Sequence, residues 1–154
     1  MKTYFLVFYL SIFFFYSHIP FSANESLISE QITFTSHNPF SFSDVINGYD
    51  KLDNQEVFGN LVIPSDSLNP NKKFPLIIGV AGSLGWKSHH LDYLEMYQSL
   101  GFATFELNSF KSRHIESTVG EQNQVTTAAM IVDAYKALEV LSNHTSINKD
   151  KISI

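Results

Sequence analysis

The stretch FPLIIGVAG, residues 74–82, constrains the fold of this chain more than any other part of the sequence. Its apolar residues follow one another without the apolar–polar alternation of a strand that has one face in water. A continuous apolar strand is typical of a parallel sheet, in which helices cover both faces. The stretch therefore predicts a central strand of an α/β sheet.

The segments that follow complete this α/β pattern. FATFEL, residues 102–107, and the final KISI predict two more buried strands. Between the strands, one helix capped by Ser88 and stopped at Gly101 has an apolar stripe, and a second helix spans about residues 125–142. The stripe of the first helix consists of Leu91, Leu94, Tyr97 and Leu100. Alternation of strands and helices predicts parallel strands with right-handed connections.

An antiparallel lead-in precedes these elements. EVFGNLVIP, residues 56–64, alternates apolar and other residues and ends at a proline, as a half-buried antiparallel strand does. ITFTS, residues 32–36, alternates in the same way and predicts a short strand. The segment between them is rich in turn-forming residues and predicts a loop.

The N-terminus has the pattern of a secretory signal peptide. Lys2 precedes an apolar run from Tyr4 to Tyr16, and these 13 residues are too few for a bilayer-spanning helix, which needs roughly 20. We therefore predict a signal peptide at residues 1–23, an exported protein (periplasmic or secreted) and no stable membrane span. Cleavage after Ala23 would leave Phe21 where a small residue is usual, so the cleavage point stays open, as does an uncleaved anchor.

Charge and polar residues exclude several classes of function. The net charge is −5 and no long basic run is present, so nucleic acid is not an expected partner. The chain has no cysteine, which excludes disulfides, thiolate nucleophiles and zinc–thiolate sites within it. His89 and His90 are adjacent and diverge by about 100° on a helix, so no metal site is expected. Asp133, Lys136 and Glu139 are predicted to pair on the surface of the second helix.

A glycine-rich loop, GVAGSLG, connects the first buried strand to the first helix. Its glycines, Gly79, Gly82 and Gly85, resemble the dinucleotide-binding loop of short-chain dehydrogenases, and Glu106 lies where an acid would bind an adenosine ribose. The residues WKSHH, however, separate the glycines from the helix, whereas in that family the helix starts inside the motif. An NAD(P)-binding domain that uses this loop remains an alternative, as does a non-catalytic α/β module.

Seven stretches along residues 32–154 form one larger pattern. They are NPFSFSDV, VFGNLVIP, KKFPLIIGVAGSLGW, LGFATFELNSFKSR, STVGEQNQV, AAMIVDAYKALEVL and INKDKISI. Together they resemble the N-terminal half of a dienelactone hydrolase-type α/β-hydrolase. This implies a partial α/β-hydrolase fold over residues 24–154, with a mostly parallel sheet, helical crossovers and the antiparallel lead-in. KISI would begin the strand that ends in the nucleophile elbow, G-x-S-x-G or G-x-C-x-G.

The resemblance also implies a chemistry. The complete protein would cleave a small ester or lactone without a cofactor, by a Ser/Cys–His–Asp mechanism whose triad lies beyond residue 154, so that this chain alone is inactive. One oxyanion-hole N–H would come from the loop after the first buried strand, with Ser83 as the first candidate and Leu84 as the second. Arg113 would bind a substrate carboxylate, or else be a solvated loop arginine.

Overall fold

The computed structural model describes residues 27–66, 69 and 71–154, and the predicted signal peptide at residues 1–23 lies outside them. The strands are β1 (Leu27–His37), β2 (Asn54–Pro64), β3 (Phe74–Val80), β4 (Ala103–Leu107) and β5 (Ile147–Ser153). The helices are α1 (Phe42–Gly48), α2 (Ser88–Ser99) and α3 (Thr127–Ser142), with 3-10 turns at Tyr49–Lys51 and Lys111–Arg113. None of the helices in the described ranges is both long and apolar enough to cross a bilayer.

The five strands form a mixed sheet in the order β1-β2-β4-β3-β5. The lead-in strand β2 runs antiparallel to both of its neighbours, β1 and β4. The strands that helices connect, β3, β4 and β5, are parallel to one another. The predicted α/β fold with helical crossovers and an antiparallel lead-in is therefore confirmed for the described residues.

The helices α2 and α3 cover opposite faces of the sheet. The connection through α2 runs from β3 to β4, whereas the connection through α3 returns across β3 to β5. Right-handed crossovers in opposite directions put their helices on opposite faces. Alternate residues of β3 agree with this, because Leu76 and Ile78 join the buried cluster that contains Ala137 of α3. Gly79, which faces the other way, lies against Leu94 of α2.

The core is better packed on the α3 face than on the α2 face. The buried residues of α3 include Ala134, Ala137 and Leu141, whereas α2 buries only Leu94. Leu91 and Leu100, which belong to the predicted apolar stripe of α2, are exposed. At the centre of the sheet, the Phe105 ring occupies the space beside Gly59, where an added Cβ would lie 2.2 Å from a ring carbon. The α2 face of the sheet is therefore only partly covered within the described residues.

Two local predictions were wrong in detail. Helix α1 lies in a segment that was predicted as a loop, and a capping box between Ser41 and Asp44 starts it. The Ser41 hydroxyl accepts a hydrogen bond from the Asp44 N–H at 3.3 Å, and the Asp44 carboxylate accepts one from the Ser41 N–H at 2.8 Å. At α2, the predicted cap Ser88 is the first helical residue, and the Lys87 N–H donates to His90 Nδ1 at 3.1 Å.

Candidate functional site

A cavity of about 210 Å³ opens at the carboxyl ends of β3 and β4. The chain leaves these two ends toward opposite faces of the sheet, and ligands of open α/β sheets bind in the crevice at such a point. The volume is below the roughly 300–1,000 Å³ of most ligand pockets, so the cavity suits a small group. Its lining residues are Val80, Ala81, Leu84, Gly85, Trp86, Lys87, Leu107, Asn108, Ser109, Phe110, Lys111, Ile115, Glu116 and Met130.

The loop after β3 contributes a tight turn to the cavity wall. The Gly85 N–H donates to the Gly82 carbonyl at 2.8 Å, so Ser83 and Leu84 are the central residues of the turn. Within the described part of the chain, neither central amide donates a hydrogen bond. Leu84 lines the cavity and Ser83 does not. The turn thus has two N–H groups without an acceptor, and of these two residues Leu84 is the one that lines the cavity.

Two of the three glycines of this loop, Gly79 and Gly85, have packing reasons, whereas an added Cβ at Gly82 would meet nothing within 4 Å. Gly85 has a positive φ of 69°, and an added Cβ would lie 2.6 Å from the Glu116 carbonyl oxygen. Gly79 lies inside β3, where an added Cβ would lie 2.6 Å from the Trp86 ring. Helix α2 begins at Ser88, three residues after Gly85, so its N-terminus does not continue directly from the glycine turn. A dinucleotide-binding loop uses the helix N-terminus for the pyrophosphate, and packing accounts for Gly79 and Gly85 without one.

Trp86 ties the loop after β3 to the end of β4. Its indole Nε1–H donates to the Leu107 carbonyl at 2.8 Å, and its ring fills the space above Gly79. Glu106, the acid predicted for a ribose in the alternative interpretation, accepts from Asn60 Nδ2 at 3.1 Å. The Trp86 contacts therefore connect the loop after β3 to the end of β4, whereas the Glu106 contact connects β4 to β2.

Two buried polar atoms among the cavity-lining residues lack a hydrogen-bond partner in the described structure, namely Asn108 Oδ1 and Ser109 Oγ. The rest of Asn108 is well bonded, since its N–H donates to the Phe58 carbonyl at 3.0 Å and its Nδ2 donates to the Glu106 carbonyl at 3.1 Å. Buried polar atoms in proteins nearly always have a partner, and an unsatisfied one costs about 1–3 kcal/mol. Asn108 Oδ1 and Ser109 Oγ are therefore unsatisfied polar atoms in cavity-lining residues, and both are buried.

Arg113 and Asp133 form a buried ion pair that sequence reasoning missed. All five guanidinium N–H groups have acceptors: Nη1 and Nη2 contact the Asp133 carboxylate at 2.8 and 3.0 Å, and the others reach the Asn38 side chain and the Ser109 and His37 carbonyls. The predicted binding of a substrate carboxylate by Arg113 stays a prediction, and it would require this pair to open.

Asp133 was predicted to lie on the helix surface, and this was wrong because its side chain is fully buried. Ala129 and Ala137, one turn before and after it, are also buried, so that the helical period already puts Asp133 on the inner face. That spacing is the signal that could have identified it. The predicted surface pair is confirmed for Lys136 and Glu139, whose charged atoms are 2.9 Å apart.

No catalytic triad is assembled within the described residues. His144 Nε2 lies 2.9 Å from Glu30 Oε1. His144, however, directly precedes β5, so it lies at the opposite end of that strand from the edge where the cavity opens. Among the described residues, no serine hydroxyl is hydrogen-bonded to a histidine ring, and no three His, Asp or Glu side chains form a possible metal site. Leu84 is the lining residue with an unpaired turn amide, but the described part of the chain has no nucleophile–base pair beside the cavity.

Comparison with known proteins gives no matching family model and no matching curated protein. Two similar solved structures are a dienelactone hydrolase-like promiscuous phosphotriesterase from metagenomic libraries and a protein described as a dienelactone hydrolase from Klebsiella pneumoniae subsp. pneumoniae. The first is 13% identical with a TM-score of 0.43, and 79% of this chain matches 47% of that chain. The second is 11% identical with a TM-score of 0.49, and 80% of this chain matches 48% of that one. The chain thus spans about half the length of these dienelactone hydrolase-like proteins.

Proposed function

We propose that this chain is the N-terminal half of an exported α/β-hydrolase that cleaves a small ester or lactone. The observation that carries the proposal is the turn after β3, in which Leu84 lines the cavity and its amide donates no hydrogen bond. In α/β-hydrolases, one donor of the oxyanion hole comes from the loop between the third strand and the following helix. The turn at Ser83 and Leu84 occupies the same position in this sheet.

The proposed mechanism needs a nucleophile on a turn that follows β5. Strand β5 pairs directly with β3, and adjacent strands are about 4.8 Å apart, so turns after the two strands would meet at one edge of the sheet. The parallel register pairs Ile77 of β3 with Ser153 of β5. Val80, at the end of β3, would therefore pair with a residue three positions after Ser153. A nucleophile elbow slightly further along would face the Leu84 amide.

In the reaction, a Ser hydroxyl or a Cys thiol attacks the substrate carbonyl while a histidine removes its proton. The carbonyl oxygen becomes an oxyanion, which the amide that follows the nucleophile and the Leu84 amide would stabilise. Collapse of this intermediate releases the alcohol, which takes the proton from the histidine, and water then hydrolyses the acyl-enzyme by the same route. The apolar residues and small volume of the cavity suit a short ester or a lactone.

The coding sequence after codon 154 tests this proposal most directly. We expect the frame to continue into G-x-S-x-G or G-x-C-x-G, followed by an Asp and a His. The complete protein should hydrolyse p-nitrophenyl acetate or a simple lactone, its nucleophile-to-Ala variant should be inactive, and the 154-residue chain should show no activity. A stop codon directly after codon 154, or tight NAD(P) binding by the purified chain, would contradict the proposal. Detection of the protein in the exported fraction of its native cells would test the proposed localisation.

A further inference from the structure

We propose that Ser117 and Thr118 act as a clamp that holds the Leu84 amide in the orientation required of an oxyanion donor. This inference rests on the proposed function and assigns a positioning role to two residues of the long loop after β4. Neither residue needs to touch the substrate. Both act through the peptide bond between Ser83 and Leu84.

The clamp consists of two hydrogen bonds to one carbonyl oxygen. The Ser83 oxygen accepts from the Thr118 backbone N–H at 2.9 Å and from the Ser117 hydroxyl at 3.0 Å. A carbonyl oxygen has two lone pairs, so both are used. The donors lie 34 and 35 residues further along the chain, in the loop between β4 and α3.

Peptide geometry transfers this constraint to Leu84. The carbonyl of Ser83 and the N–H of Leu84 belong to one planar trans unit, in which they point in opposite directions. Since the carbonyl is held toward residues 117 and 118, the N–H is held away from them. A flip of this peptide, which would turn the N–H away from its present direction, has to break both hydrogen bonds.

The clamp itself is anchored to the rest of the loop. Thr118 is buried, and its carbonyl accepts from the Glu121 N–H at 3.1 Å. The Ser117 hydroxyl also accepts from the Val119 N–H at 3.2 Å, which orients it toward Ser83. In addition, the Glu116 backbone lies so close to Gly85 that no Cβ fits between them. The loop therefore contacts the turn after β3 on two sides.

Such a device is useful because the turn is otherwise poorly held. Gly82, Ser83 and Leu84 are exposed, and one hydrogen bond, between Gly85 and Gly82, closes the turn. An oxyanion donor stabilises a transition state only when it already has the correct orientation before the charge develops. We infer that Ser117 and Thr118 provide this orientation.

The test uses the 154-residue chain labelled with ¹⁵N. It compares Ser117→Ala with Ser117→Thr, which retains the hydroxyl. In Ser117→Ala, the Thr118 N–H should exchange with solvent about fivefold faster, as expected from the loss of one net hydrogen bond. The Leu84 amide resonance should shift as well, and Ser117→Thr should restore both signals. Ser99→Ala serves as the matched control, because Ser99 makes a similar hydroxyl-to-carbonyl bond at the far end of α2.

The clamp is disproved if Ser117→Ala leaves the Thr118 exchange rate and the Leu84 resonance at their values in Ser99→Ala. In the complete protein, Ser117→Ala should lower kcat about tenfold and leave KM within about twofold, a smaller loss than removal of a whole oxyanion donor. An unchanged kcat would overturn the positioning role. A complete protein without hydrolase activity would overturn the proposed function, whereas the exchange data would still decide whether the clamp exists.

Discussion

The buried ion pair between Arg113 and Asp133 gives the sharpest test of the described fold. We consider Asp133→Asn, which preserves the size of the side chain but removes its charge. The carboxylate has no exposed side-chain surface and accepts from the Ser36 hydroxyl at 2.5 Å in addition to Arg113. Only 7% of the Arg113 side chain is exposed, so the substitution leaves a guanidinium without its counter-charge in the protein interior.

The expected loss is large relative to the stability of a small domain. Removing one partner of a buried ion pair costs about 3–5 kcal/mol, mainly because the remaining charge is uncompensated. Folded proteins in general have a total unfolding free energy of about 5–15 kcal/mol. Asp133→Asn should therefore remove about a fifth or more of the stability and weaken the contacts that join β1, α3 and the loop after β4.

Urea denaturation of the full chain, followed by far-UV circular dichroism, measures this loss. Glu139→Gln is the matched control, because it breaks the exposed pair with Lys136 and should cost less than about 1 kcal/mol. The double variant Arg113→Met/Asp133→Leu should recover most of the lost stability, because it removes both charges together. If Asp133→Asn unfolds at the same urea concentration as Glu139→Gln, the buried pair does not have the role described here.

Three further predictions concern the turn after β3 and helix α1. Gly85→Ala should lower the unfolding free energy by about 1–3 kcal/mol, because its φ is 69° and its Cβ would meet the Glu116 carbonyl; an unchanged urea midpoint would contradict this. Hydrogen bonds from the Ser41 backbone N–H, and then from its hydroxyl, hold the pKa of Asp44 below 3.8. The ionised Asp44 carboxylate therefore stabilises the fold above the ordinary carboxyl pKa, and this stabilisation is lost as the pH falls through the lowered pKa. A ¹³C titration of the Asp44 carboxyl should give a midpoint below 3.8, and Ser41→Ala should move that midpoint closer to 3.8. Trp86→Phe should cost about 1 kcal/mol by leaving the carbonyl at the end of β4 without its indole donor, whereas an unaffected melting curve would show that this bond contributes nothing.

The cavity also depends on contacts that lie outside it. The loop after β4 supplies Asn108 and Ser109 to the cavity lining, is anchored at Arg113 and then passes through the proposed clamp at Ser117 and Thr118. A change at Asp133 should therefore reach the site through this loop, although Asp133 lines no part of the cavity. We therefore expect the stability of the fold and the geometry of the proposed oxyanion donor to change together in such a variant.

Sequence patterns were sufficient for the type and order of most elements. The continuous apolar run of β3 and the alternation of β2 follow from whether one or both faces of a strand are buried, which is a local property of side-chain spacing. Helix α3 was predicted from its period for the same reason. Helix α1 was missed because its capping box has Asp44 in place of the usual Glu or Gln, within a segment of turn formers.

The site required the tertiary structure, because its contacts join residues that are far apart in the chain. The sequence marked the loop with Ser83 and Leu84 as a source of backbone donors, but it contained no sign that a loop more than 30 residues later would hold the Ser83 carbonyl. It likewise could not pair Arg113 with Asp133, since charge and spacing are compatible with many partners. Local patterns determine which faces are apolar. Which distant surfaces meet depends on the packing of the whole sheet, and that packing created the cavity and the two hydrogen bonds to the Ser83 carbonyl.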